Sequence, residues 1–262
     1  MAQAPEVFWM RMTAAEINAK SKEDAIVLLP VASIEQHGPH LGTGVDTFLV
    51  TEGCRRTAVR VAAKRPIIVA PTVWMGLAEH HMAFGGTFTL SIATYHALLR
   101  DVCQSILRAG FRKILIVNGH GGNMAALATL MTDLAQELEA PIAETTLYSY
   151  AHQDKLYEAI LEDQVGVQHA CEAETSMMLV AAPDCVRGDK IKDAFNALGV
   201  DKTRQLGVNP PAINMWRSFR ELTSSGVMGD ARKASAKKGE ALLEAAAKAL
   251  ADRLIEGKPW SA

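Results

Sequence analysis

Ile114-Leu-Ile-Val-Asn-Gly-His-Gly-Gly-Asn123 runs four aliphatic residues straight into a glycine-rich turn, and residues 123–139 then carry apolar side chains at helical intervals. A short, uninterrupted apolar run bounded by turn residues is how a strand buried on both faces reads. The same unit recurs along the chain. Runs rich in Ile, Val and Leu lie at 25–31, 67–71 and 142–147, and helical spacing covers 47–64 and 91–109. Strands alternating with helices imply right-handed βαβ crossovers and a mostly parallel sheet covered on both sides. The expected fold class is α/β.

The alternation weakens after Tyr150. Residues 184–220 hold few long apolar runs and carry Asn209, Pro210 and Pro211. They read as an excursion from one domain spanning 1–262, either a lid or an oligomer contact, rather than as a second domain. The alanine-rich tail, residues 230–257, reads as a closing helix packed on the sheet.

Of the 262 residues, 49% are hydrophobic, which is enough for a sizeable core, and the net charge of -2 gives no electrostatic footprint for nucleic acid or an anionic membrane. No segment approaches the roughly 20 apolar residues of a membrane span, and the N-terminus has no signal-peptide pattern. The expectation is a cytoplasmic protein whose partners are small molecules and copies of itself. Cys54, Cys103, Cys171 and Cys185 stand far apart and read as free thiols. Cys171, next to His169 and two glutamates, is weighed as a nucleophile and not preferred.

In an open parallel sheet, ligands bind beyond the carboxyl ends of the strands, so the segments that follow the strands are where chemistry is sought. After the first strand, Glu35, His37, His40 and Asp46 share twelve residues with three glycines and a proline. Carboxylates and imidazoles suit Zn²⁺ and Mn²⁺, and residues two apart in an extended stretch, such as Glu35 and His37, can converge. The alternative is a polar surface turn in which Asp46 caps the next helix.

After the third strand, His120 is flanked by Gly119, Gly121 and Gly122, so nothing bulky beside it keeps its ring from a cleft. The turn matches neither the P-loop nor the dinucleotide fingerprint. Asn123 reads as the helix N-cap. In His169-Ala-Cys-Glu-Ala-Glu-Thr-Ser176 the two glutamates, Glu172 and Glu174, are two apart on a helix, so at most one faces the site. Glu79-His80-His81 could place a histidine around the ligands, although a solvated loop is the preferred reading.

Taken together, Ser33-Ile-Glu-Gln-His-Gly-Pro-His-Leu41 with Asp46, then Val117-Asn-Gly-His-Gly-Gly-Asn123, then His169 leading to Glu174-Thr-Ser resemble the creatininase (creatinine amidohydrolase) family. The resemblance runs in order from about Pro30 to Val180. It implies a three-layer α/β/α fold, frequent assembly as a hexamer, and a dinuclear site holding Zn²⁺, Mn²⁺ or Fe²⁺. Residue by residue, Glu35 and His120 would serve one metal, His37 the other, and Asp46 would bridge them. Glu174 is the chosen last carboxylate.

The chain also departs from the creatinine-hydrolysing branch. That branch carries a metal-binding glutamate where Gly122 stands and tryptophans in its lid, whereas residues 148–171 contain three tyrosines and no tryptophan. The family's usual Phe-Pro-Gly-Thr is Phe84-Gly-Gly-Thr87. Creatinine is therefore not the expected substrate. The expected reaction is hydrolysis of a carbon–nitrogen bond in a small cyclic amide or formamide by a metal-activated water, with His169 moving a proton to the leaving group. The alternatives are hydrolytic opening of a keto-inositol ring and a non-catalytic metal-binding subunit.

Overall fold

The computed structural model describes residues 5–201 and 215–261. Four parallel strands form the central sheet: β1 (Ile26–Val31), β2 (Ile67–Val69), β3 (Lys113–Asn118) and β4 (Ala143–Thr146), in the order β2-β1-β3-β4. The register pairs Ile26 with both Ile67 and Lys113, and Leu115 with Ala143. Between the strands run α1 (Ala14–Lys22), α2 (Val45–Ala62), α3 (Ile92–Arg108) and α4 (Met124–Glu137). After β4 come α5 (Ser149–Gln153), α6 (Glu172–Ala181), α7 (Phe219–Leu222) and α8 (Ala236–Ile255). The mostly parallel α/β architecture expected from the apolar runs is the one observed.

Period-two alternation within each strand divides the core. Ile26, Leu28, Val69, Leu115 and Val117 point to one side, where they pack with α2, α6 and α8. Val27, Leu29, Val31, Ile68, Ile114 and Ile116 point to the other, against α3 and α4. Every residue of β1 is buried. β4 differs from the expected doubly buried strand: all four of its residues are only half-buried, because it is an edge with Glu144 and two threonines.

Local signals set several helix starts. Thr13 forms a capping box with Glu16, and the Ser91 hydroxyl accepts from the Thr94 amide at the head of α3. Two other helix starts are set differently. The N-cap of α2 is Gly44, and Asp46 lies inside the first helical turn. Asn123 is the N-cap residue of α4, as expected, but its side chain makes no capping bond; its Oδ1 accepts from the Leu77 amide (2.9 Å) and its Nδ2 donates to the carbonyl of Ala32 (3.1 Å) and to Asn118 (3.2 Å).

Within 184–220, the described part contains 3₁₀ turns, the strand β5 (Phe195–Asn196) paired antiparallel with β6 (Gly229–Asp230), and α7. Asn209, Pro210 and Pro211 lie outside the described residues. No helix among the described residues is long and apolar enough to cross a membrane.

Candidate metal centre

Five of the eight histidines gather with three carboxylates at the carboxyl end of the sheet. The loop after β1 brings Glu35 and His37, the first turn of α2 brings Asp46, and the turn after β3 brings His120. His80 and His81 come from the segment after β2, in the 3₁₀ turn Glu79–Phe84. His169 and Glu174 come from the start of α6. Gly119 makes the approach of α2 close: a Cβ there would stand 2.7 Å from Val50 Cβ and 3.0 Å from the Asp46 carbonyl. Glycine therefore lets Asp46 reach His120.

Asp46 stands between two imidazoles. Its Oδ1 is 3.5 Å from Nε2 of His37, and its Oδ2 is 3.1 Å from Nδ1 of His120. Glu35 Oε2 is also 3.1 Å from His120 Nδ1, and Glu174 Oε2 is 3.7 Å from His37 Nε2. The far nitrogens fix the orientation of the rings. His120 Nε2 donates to the Leu77 carbonyl (3.1 Å) and His37 Nδ1 to the Glu35 carbonyl (3.1 Å), so the other nitrogen of each ring faces the carboxylates and is the one whose lone pair an ion would take once its proton is lost. His120 is held at both ends of its backbone as well, its amide by Asn118 Oδ1 and its carbonyl by Asn118 Nδ2.

Glu172 and Glu174 separate as their spacing requires. Glu174 faces His37, while Glu172 turns to Lys238 of α8 (2.6 Å) and the Glu162 amide (3.2 Å). His169 Nε2 donates to the Gln36 carbonyl (2.8 Å), which leaves Nδ1 3.5 Å from Glu35 Oε1. His81 is buried, not solvated: the Gln36 amide donates to its Nδ1 (2.9 Å), and its Nε2 is 3.4 Å from Glu35 Oε1. His40 turns away, with Nε2 2.7 Å from the Thr175 hydroxyl. Phe219 closes over the imidazoles, its ring 4.4 Å from His81 and 4.9 Å from His169 between centroids. Gln36 and Phe219 were not singled out in the sequence; Gln36 sits in plain view between Glu35 and His37, and Phe219 carries no local signal.

Burial acts first on every charge in this cluster, and the neighbours decide the outcome. It raises Glu174 to about 8 and lifts Glu35 above the usual carboxylate range. Burial also pushes Asp46 up, but His120 and His37 outweigh it and bring the carboxyl well below its ordinary value. His37 is held at about 9 by Asp46, Glu174 and Glu35 against the cost of burial, and His120 is raised well above 6.5 by Glu35 and Asp46 in the same way. Burial and nearby imidazoles take His80 down to about 4, His81 to about 2, and His169 well below 6.5. In the protein by itself His169, expected to move a proton, is thus a neutral acceptor. Burial pushes the Cys171 thiol up to about 12, which removes it as a nucleophile.

The donor set fits divalent ions. His37 Nε2, Glu35 Oε2 and Asp46 Oδ2 are buried without a well-formed hydrogen bond, and three overlapping groups have ligand atoms within 4.8 Å of one another: Glu35, His80 and His120; Glu35, His37 and His169; and His37, Asp46 and Glu174. Carboxylate oxygens and imidazole nitrogens are ligands that Zn²⁺ and Mn²⁺ accept.

A parallel sheet that delivers such a cluster to the carboxyl ends of its strands has the layout of an α/β enzyme, in which ligands bind at the strand ends. More particularly, the chain belongs to the creatininase family, whose model, described as creatinine amidohydrolase, matches residues 10–254. It is 27% identical to the creatinine amidohydrolase of Pseudomonas putida over 97% of this chain and 98% of that one. It is 32% identical to the 3-dehydro-scyllo-inosose hydrolase of Thermotoga maritima over 70% of this chain and 59% of that one. It is 30% identical to the mycofactocin precursor peptide peptidase of Mycolicibacterium smegmatis over 89% and 86% of the two chains. A crystal structure of creatinine amidohydrolase superposes with a TM-score of 0.81 at 23% identity, covering 97% of this chain and 98% of that one, and shares the fold. The relatives are hydrolases, and this chain is an enzyme of that class.

Proposed function

We propose that the chain hydrolyses a carbon–nitrogen bond of a small cyclic amide or formamide with two divalent ions, Zn²⁺ or Mn²⁺, and with Fe²⁺ as a further candidate. The observation that carries this reading is the placement of Asp46, one oxygen towards His37 and the other towards His120. Glu35 and His120 would hold one ion, His37 and Glu174 the other, with Asp46 shared. When bound, such a pair supplies a nucleophile at neutral pH and polarises the scissile carbonyl.

The chain's own groups do the rest. His169, fixed by the Gln36 carbonyl at Nε2, offers Nδ1 to accept the nucleophile's proton and return it to the leaving nitrogen. Gln36 locks the neighbouring His81, and Phe219 shields the imidazoles from bulk water. Two of the relatives' names, an amidohydrolase and a peptide peptidase, support carbon–nitrogen cleavage. The inosose hydrolase keeps ring opening of a cyclic ketone as the second reading. The proposal includes a cytoplasmic homo-oligomer, the hexamer favoured. The exposed Trp74, Phe88 and Ile92 offer apolar surface for such contacts.

The test is metal analysis of the purified protein, then a screen of lactams, formamides and keto-inositols with the metal restored. Formation of a free amine, released or left on the opened ring, or of ammonia or formate is the expected result. A carboxylic acid formed with no new free amine, ammonia or formate would favour the second reading, and no turnover of any class by fully loaded protein would overturn both.

A further inference from the structure

Position 122 has no room for a side chain. A Cβ there would lie 2.4 Å from His120 Nε2, 2.4 Å from the Leu77 carbonyl and 2.7 Å from His80 Cε1. Gly122 therefore leaves space that the His80 ring occupies. That ring stacks on His120 at 5.7 Å between centroids and 14° between planes. It is half-buried, and among the described residues neither of its nitrogens has a hydrogen-bond partner. One of them falls within the 4.8 Å envelope shared with Glu35 and His120. Two ligands at the usual 2.0–2.1 Å from one ion stand at most about 4.2 Å apart, so a small rotation of a half-buried ring closes the difference.

We propose that His80 is a direct ligand of the ion held by Glu35 and His120. That side of the centre then has two imidazoles, while the other has His37 with Glu174. Imidazole favours Zn²⁺, whereas oxygen ligands suit Mn²⁺, so the His80 side becomes the more zinc-selective of the two. His80 and Gly122 also become a coupled pair, since any larger residue at 122 would displace the ring. The inference rests on the metal-hydrolase reading of the site, but its test uses no substrate.

Metal-free wild type, His80→Ala and His80→Gln are titrated with Co²⁺, following visible absorption and chelator competition, with His96→Ala as a control. Expected is an altered Co²⁺ spectrum for one of two equivalents in both His80 variants. The affinity of that equivalent should fall at least about tenfold, and its preference for Zn²⁺ over Mn²⁺ should narrow. Thermal melting of the metal-free variants checks the fold, and the bulkier glutamine carries the test if alanine does not fold. A Co²⁺ spectrum identical to wild type in the folded His80 variants overturns the proposal whatever happens to affinity. A changed spectrum in a protein that hydrolyses no amide leaves the ligand in place and removes only the reaction.

Discussion

Asp46 Oδ2 and His120 Nδ1 stand 3.1 Å apart across the gap between the first turn of α2 and the turn after β3, and this contact joins the two halves of the candidate centre. Because the second oxygen of Asp46 faces His37, Asp46→Asn should disable both sides at once. Expected is a loss of metal affinity of at least about a hundredfold for both ions, beyond the 10–100-fold typical of residues that only orient ligands. Elemental analysis after dialysis measures it. Two ions per chain at unchanged affinity would show that Asp46 is not shared.

Metal loading should release protons at neutral pH. In the protein by itself His37 is held at about 9 and Glu174 at about 8, so both carry a proton at pH 7, whereas ligation requires a neutral imidazole and a carboxylate. Affinity should therefore rise with pH up to about 9 and then level off. Calorimetry in buffers of different ionisation enthalpy reads the proton count directly. Binding at pH 7 that releases none would contradict these protonation states.

Asn123 ties three segments together through Leu77, Ala32 and Asn118, and is fully buried. Asn123→Ala leaves several buried polar groups unpaired and should cost about 2–3 kcal/mol. Since Leu77 and Asn118 in turn hold His120, metal affinity should weaken too. Urea melts at a fixed metal concentration test this, and a variant as stable as wild type would show that Asn123 acts only as a polar end to α4.

The Glu172–Lys238 pair pins α6 to α8, with the carboxylate side chain 1% exposed and the lysine 20%. Lys238→Met leaves that carboxylate buried with the Glu162 amide as its remaining donor among the described residues, and should destabilise by about 2 kcal/mol, less than for a fully buried pair because the lysine end meets water. Metal content and turnover should be unchanged below the new melting temperature. Adding Glu172→Gln should recover part of the loss; a double variant no more stable than the single one would place the effect elsewhere.

The sheet is legible in the sequence, because strands buried on both faces must be continuous apolar runs and the helices between them must show a 3.6-residue period. The sequence also placed Glu35, His37, Asp46 and His120 in the segments that follow strands, where an open sheet gathers its chemistry. The choice of Glu174 over Glu172 was half legible: spacing excludes both from one helix face, but only the position of Lys238 on α8 decides which turns away. Tertiary structure alone made His81 a buried neighbour of Glu35, tied the side chain of the N-cap residue Asn123 to distant segments, and laid Phe219 over the imidazoles. Each of these depends on what a distant segment places opposite the residue, and local propensity and periodicity carry no record of that.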